Sequence, residues 1–92
     1  MNYIITRYTR TKAKQYGVLV KLSSVKGKKI DVIKNKIVIA SVGALGYSDY
    51  PTYIKSHGLE YANIRRKLYR IRHKNDRNVV NTHGYWADRL LW

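Results

Sequence analysis

The sequence contains no cysteine, no phenylalanine and a single proline in 92 residues. The absence of cysteine excludes disulfides and cysteine-ligated zinc, and fits a protein kept inside a cell or a particle. No apolar run approaches the roughly 18 residues of a membrane-crossing helix. The N-terminus also lacks the unbroken apolar core of a secretory leader, so the chain reads as soluble and cytosolic or nuclear. Carboxylates are scarce as well. Five Asp and Glu face nineteen Lys and Arg, for a net charge of +14. So few acids offer no convincing general acid/base pair, and neither a phosphate-binding glycine loop nor a nucleophile elbow is present, which argues against an enzyme. His57, His73 and His83 are scattered with no close pair, so no metal or cofactor is expected.

What is present is charge, spread along the whole chain. Ten of the basic residues precede residue 43 and nine follow it, so this is not a neutral domain with a basic tail. Such a surface attracts polyanions: nucleic acid, anionic membrane or acidic protein. The length predicts one small domain over residues 1–92 with little room for a deep private cavity. Without phenylalanine, the aromatic content is nine tyrosines plus Trp86 and Trp92, rings whose polar edges suit a boundary with water or a partner.

The pattern predicts an α+β fold, a small antiparallel sheet of three to four strands over 1–42, a joint over 43–51 and helices over 52–92. Residues 2–9, NYIITRYT, are β-branched and aromatic and read as a first strand, followed by a basic connection, RTKAKQ. GVLVKL (17–22), KIDVIK (29–34) and NKIVIASV (35–42) read as further strands, with a tight reversal at Asn35-Lys36. In the joint, Gly43 and Gly46 permit positive φ, and Ser48 or Asp49 is placed to cap a short helix over Pro51–Ser56. Gly46, Tyr47, Asp49 and Tyr50 are the candidate structural residues of this turn from sheet to helix. Residues 59–74 have helical spacing: Tyr61, Ile64, Leu68 and Ile71 form one stripe, predicted to hold the helix to the sheet. A loop over 75–84 follows, and the apolar end, YWADRLLW, needs cover from the sheet, the helix or another chain.

The arginine-rich helix is the strongest functional signal. Arg65, Arg66, Lys67, Arg70, Arg72 and Lys74 crowd a face that an ordinary solvated helix would fill with both signs, and arginine forks match phosphate oxygens. Lys26, Lys28 and Lys29 are a second candidate for nucleic-acid contact, although lysines on strands also guard sheet edges. The tyrosines are read as core and boundary residues before they are read as base-stacking platforms. Tyr85, Trp86, Leu90, Leu91 and Trp92 are the candidate partner-docking segment.

Three stretches, IVIASVGALGYSDY (37–50), RIRHK (70–74) and HGYWADRLLW (83–92), resemble in order and spacing a family of small basic proteins encoded by large eukaryotic DNA viruses and their relatives. The matching positions are Gly46 to Tyr50, Arg72 and His73, and Tyr85, Trp86, Arg89, Leu90, Leu91 and Trp92. Pro51 departs from the family, which tends to have threonine there. The resemblance implies a viral setting rather than an activity. It points to a non-enzymatic virion protein, a minor capsid or cement protein contacting capsid proteins, packaged genome or both, with DNA ahead of RNA. Its location would be the virion, and the host cytoplasm or nucleus during infection. The rival readings are a nucleic-acid-binding protein acting during infection and a basic adaptor for acidic protein partners.

Overall fold

A computed structural model describes residues 3–92. The order of elements is α1 (Arg7–Gln15), β1 (Leu19–Leu22), β2 (Lys28–Lys34), β3 (Ile37–Ala44), α2 (Tyr50–His57), α3 (Leu59–Arg72) and α4 (His83–Leu91). The fold is α+β with a three-stranded antiparallel sheet, as the pattern predicts, but the helices are not all C-terminal.

The stretch predicted as a first strand instead leads into α1, which also takes up the predicted connection; Asn2 lies outside the described residues. Three local features outweigh the β-branched composition. Thr6 caps the helix by accepting the Thr9 N–H at 3.2 Å. At the other end the Val18 N–H reaches the Ala13 carbonyl (3.0 Å) and the Gly17 N–H the Lys14 carbonyl (3.2 Å), a paired left-handed termination. Along this stretch Ile5, Thr9 and Ala13 recur every fourth residue and are buried, a helical period.

The three strands form an antiparallel meander in the order β1-β2-β3. The β2–β3 reversal is the two-residue turn Asn35-Lys36, both at positive φ (52° and 66°), as strand twist favours in tight hairpins. A bulge explains the imperfect alternation of the sequence. Val32 pairs with Ala40 and Ile33 with Val38, leaving Ile39 as the extra residue. The bulge keeps Ile30 and Val32 in line with Ala40 and Val42, and these four join Ile5, Ala13, Val18, Trp86, Leu90 and Leu91 in the core.

Helix α4 closes that core. Thr82 caps it through the Tyr85 N–H, Trp86 and Leu90 follow one turn apart, and the buried Thr9 hydroxyl donates to the Leu90 carbonyl at 2.8 Å. The segment predicted to dock on partners is therefore committed within the chain. Trp86, Leu90 and Leu91 are buried, Tyr85 and Trp92 half-buried against the same core. A buried side chain offers nothing to a second protein.

The joint works largely as predicted. Gly43 sits at φ 83°, and a Cβ there would lie 2.8 Å from Leu91 Cδ1 and 2.9 Å from Lys29 Cδ, so only glycine lets β3 pass under α4. Gly46 also has positive φ (89°). Asp49 caps α2 reciprocally: its carboxylate accepts the Thr52 N–H at 3.2 Å while its own N–H donates to Thr52 Oγ1 at 2.8 Å. The same buried carboxylate accepts the Tyr3 hydroxyl (2.8 Å) and the Lys29 ammonium (3.1 Å), joining the N-terminal segment, the sheet and α2. Tyr50 is buried with its hydroxyl donating to Asn63 Oδ1 at 2.7 Å, which binds α2 to α3. Tyr47, expected to pin the turn, is 76 % exposed and does not.

A cap alone is worth about 1 kcal/mol. Removing one partner of a buried ion pair costs about 3–5 kcal/mol, because the other charge is left without compensation. Asp49→Ala should therefore lose the larger amount in a denaturant titration, and Lys29→Met in the same chain should restore part of it. A loss of about 1 kcal/mol, unchanged by the second substitution, would reduce Asp49 to a helix cap.

Candidate nucleic-acid interface

Charge in this protein is sorted by depth. Of the nineteen Lys and Arg only Lys29 is buried, whereas three of the five acids, Asp31, Asp49 and Asp88, are at most 2 % exposed. Each buried carboxylate has internal partners. Asp31 accepts the Ser23 and Ser41 hydroxyls at 2.6 and 2.7 Å and the Ser24 N–H at 3.3 Å, with the Lys21 ammonium 3.9 Å away. Asp88 accepts from Arg77 Nε at 2.9 Å and from Arg89, and Arg70 Nε lies 3.8 Å off, so three guanidiniums from α3, the following loop and α4 converge on one carboxylate. The acids left outside are Glu60 and Asp76, and Asp76 lies 3.3 Å from His73 Nδ1. The exterior is consequently almost purely cationic.

Helix α3 concentrates that charge, and its cations divide by what they touch. Lys67 and Lys74 are exposed, and Arg70 and Arg72 are exposed with Arg72 5.9 Å from the Tyr69 ring centre. Arg66 is half-buried, its guanidinium 3.9 Å from the Tyr50 ring centre, and it bonds Asn63 Oδ1 and the Trp92 carbonyl. Arg65 is half-buried over Tyr53 at 5.4 Å, with its Nε enclosed and unpartnered. Two concavities flank the helix. An open groove of about 650 Å³ is lined by Asn63, Arg66, Lys67, Arg70, Ile71 and Lys74. A cleft of about 460 Å³ between α3 and the end of β3 is lined by Arg65, Arg72 and His73 together with Tyr47, Tyr53, Tyr69 and Trp92. Among the described residues no Asp or Glu lines either one.

The cleft is aromatic, yet most of its rings are engaged with one another. Tyr69 and Trp92 stack at 4.4 Å and 9°, Tyr53 lies 6.1 Å from Trp92 and 5.6 Å from Tyr61, and Tyr61 stacks on His57 at 4.5 Å. Burial, followed by the charges of Asp88 and Asp76, pushes the Tyr69 phenol up to about 12, so it stays neutral. These rings brace α2 and α3 against Trp92, and Tyr47 is the one largely exposed ring of the cleft. The arrangement favours guanidiniums held over ring faces and aimed at anionic oxygens over a row of open stacking platforms.

Of the predicted contacts, Arg66, Lys67, Arg70 and Lys74 meet in the groove and Arg65 and Arg72 in the cleft. Lys26 is exposed in the β1–β2 turn and Lys28 half-buried beside it, and neither reaches these concavities. Lys29 lines the wall of the cleft, but its ammonium is held by Asp49 inside the fold and is not available to a ligand. Sequence reasoning did not find Tyr53, Tyr69 and His73 in the cleft. The signal was there, since residues 65, 69 and 72 share one helical face with Arg65 and Arg72 bracketing Tyr69. No protein-family model matches the chain, and no curated protein or solved structure matches it.

Burial works to raise the carboxyl of Asp31, but the hydrogen bonds from Ser23, Ser41 and Ser24 and the charge of Lys21 outweigh it and hold it below the ordinary 3.8. Its folded form thus holds its proton less tightly than the unfolded form. The stability it contributes is complete above 3.8 and is lost as pH falls from there through the folded value. Urea titrations across that range should show Asp31→Asn less stable at neutral pH and with a flatter acid limb than the parent. Identical acid limbs would remove Asp31 from the account.

Proposed function

We propose that the protein is a non-enzymatic structural protein that binds nucleic acid through its phosphates, with little regard for base sequence. The observation that most supports this is the sorting of charge by depth, with three of five acids inside and eighteen of nineteen Lys and Arg at or near the surface. Lys67, Arg72 and Lys74 stand free enough to follow a phosphate backbone, with Arg70 beside them shared with Asp88, and each phosphate neutralised releases counterions whatever the neighbouring bases are. The mutual engagement of the cleft aromatics speaks against readout by base stacking. In the viral setting that the sequence resemblance implies, the partner is packaged DNA and the protein a minor virion component that neutralises it. A cementing role through Trp86, Leu90 and Leu91 has no exposed surface to use, so contact with other proteins has to use a different face.

Among the described residues no helix is long and apolar enough to cross a membrane.

Lys67→Gln and Lys74→Gln should weaken binding to every duplex by the same factor. Together they should lower the slope of log affinity against log salt by about two, one for each lost phosphate contact. Both side chains are exposed, so the melting temperature should stay within about 1 °C of the parent's. An effect on one sequence and not another, or no change of slope, would count against the reading.

A further inference from the structure

The apolar stripe of α3 does not hold the helix to the sheet. Tyr61, Ile64, Leu68 and Ile71 are 39 to 60 % exposed, and the helix docks instead through Ala62 and Tyr69, about a third of a turn round from the stripe. The spacing of the four exposed residues is three, four, three, which is the a and d seam of two coiled-coil heptads. In that frame the flanking e positions are Arg65 and Arg72 and the flanking g positions are Lys67 and Lys74, the last just past the helix end. All four are cations, and the lone acid at a flanking position is Glu60, one turn before Ile64.

We propose that this seam is a docking site for one amphipathic helix of a partner protein, apolar at its own a and d positions and acidic at e and g. Charge selects this occupant. A second copy of the chain would bring e and g cations against e and g cations in either orientation, and like charges at those positions decide against pairing. A phosphate backbone satisfies the two cationic rows but leaves the apolar seam between them in water. An anionic bilayer wants a wider apolar face than two columns, since a strict a and d stripe is the narrow seam of a helix pair. An acidic helix satisfies the seam and both flanks together.

The probe is a fluorescein-labelled, end-capped peptide of three heptads with Leu at a and d and Glu at e and g, whose own like charges keep it monomeric at neutral pH. Fluorescence anisotropy with the full chain should show saturable binding. Leu68→Ser should weaken it about tenfold or more by removing a buried apolar contact, with duplex DNA affinity and melting temperature unchanged. The same peptide with Ser at a and d, equal in charge, should bind at least about tenfold more weakly. The proposal is overturned if the Ser peptide binds as well, if Leu68→Ser leaves peptide binding intact, or if Leu68 instead governs self-association or attachment to phosphatidylserine vesicles. Lys67 and Lys74 serve both ligands, so the two readings are separated at Leu68, whose loss should lower peptide binding and leave duplex DNA binding as it is.

Discussion

A chain carrying nineteen cations and five acids has to fold against its own repulsion, and the structure does so by placing its few carboxylates where each joins several elements. Asp49 ties Tyr3, Lys29 of β2 and the first turn of α2. Asp88 gathers arginines from α3, the loop after it and α4. Asp31 closes the β1–β2 turn onto β3 through serine hydroxyls. In a low-dielectric interior a carboxylate with several donors is a strong organiser, and an unpaired one is costly, so these three positions constrain the path of the chain as much as the apolar core does.

The same arrangement sets the surface. Each acid taken inward leaves the outside more uniformly positive, so the interactions that fold the protein also prepare it for an anionic partner. Helix α3 shows the result most clearly, because it is held by a small face, Ala62 and Tyr69, reinforced by Arg66 over Tyr50 and by the Trp92 stack. Most of its perimeter remains outside. It therefore presents two cationic flanks and an apolar seam on one short rod.

Much of this was legible in the sequence, and the failures have physical causes. The strands from Leu19 to Ala44, the Asn35-Lys36 reversal, the capping role of Asp49 and the helix beginning at Leu59 all follow from local patterns. Helix α1 was misread because the β-branched run from Ile4 to Thr9 obscured the four-residue recurrence of Ile5, Thr9 and Ala13, where a buried threonine stands in place of an apolar residue. Two further misreadings share one cause, which is that periodicity shows a face exists but not what covers it. The stripe on α3, expected against the sheet, is largely exposed apart from Tyr61 against His57, whereas Trp86, Leu90 and Leu91, expected to dock on partners, fill the core. Lys29 looked like any other strand lysine until its pairing with Asp49 appeared, a contact across twenty residues that no local pattern carries.

The most direct test of the account is the affinity of the full chain for two duplex DNAs of the same length and unrelated sequence across a salt series. A uniformly cationic exterior predicts steep, parallel lines for the two duplexes, with a slope corresponding to about five or more neutralised phosphates. A shallow slope, or affinities that differ between the two sequences by more than about tenfold, would contradict it.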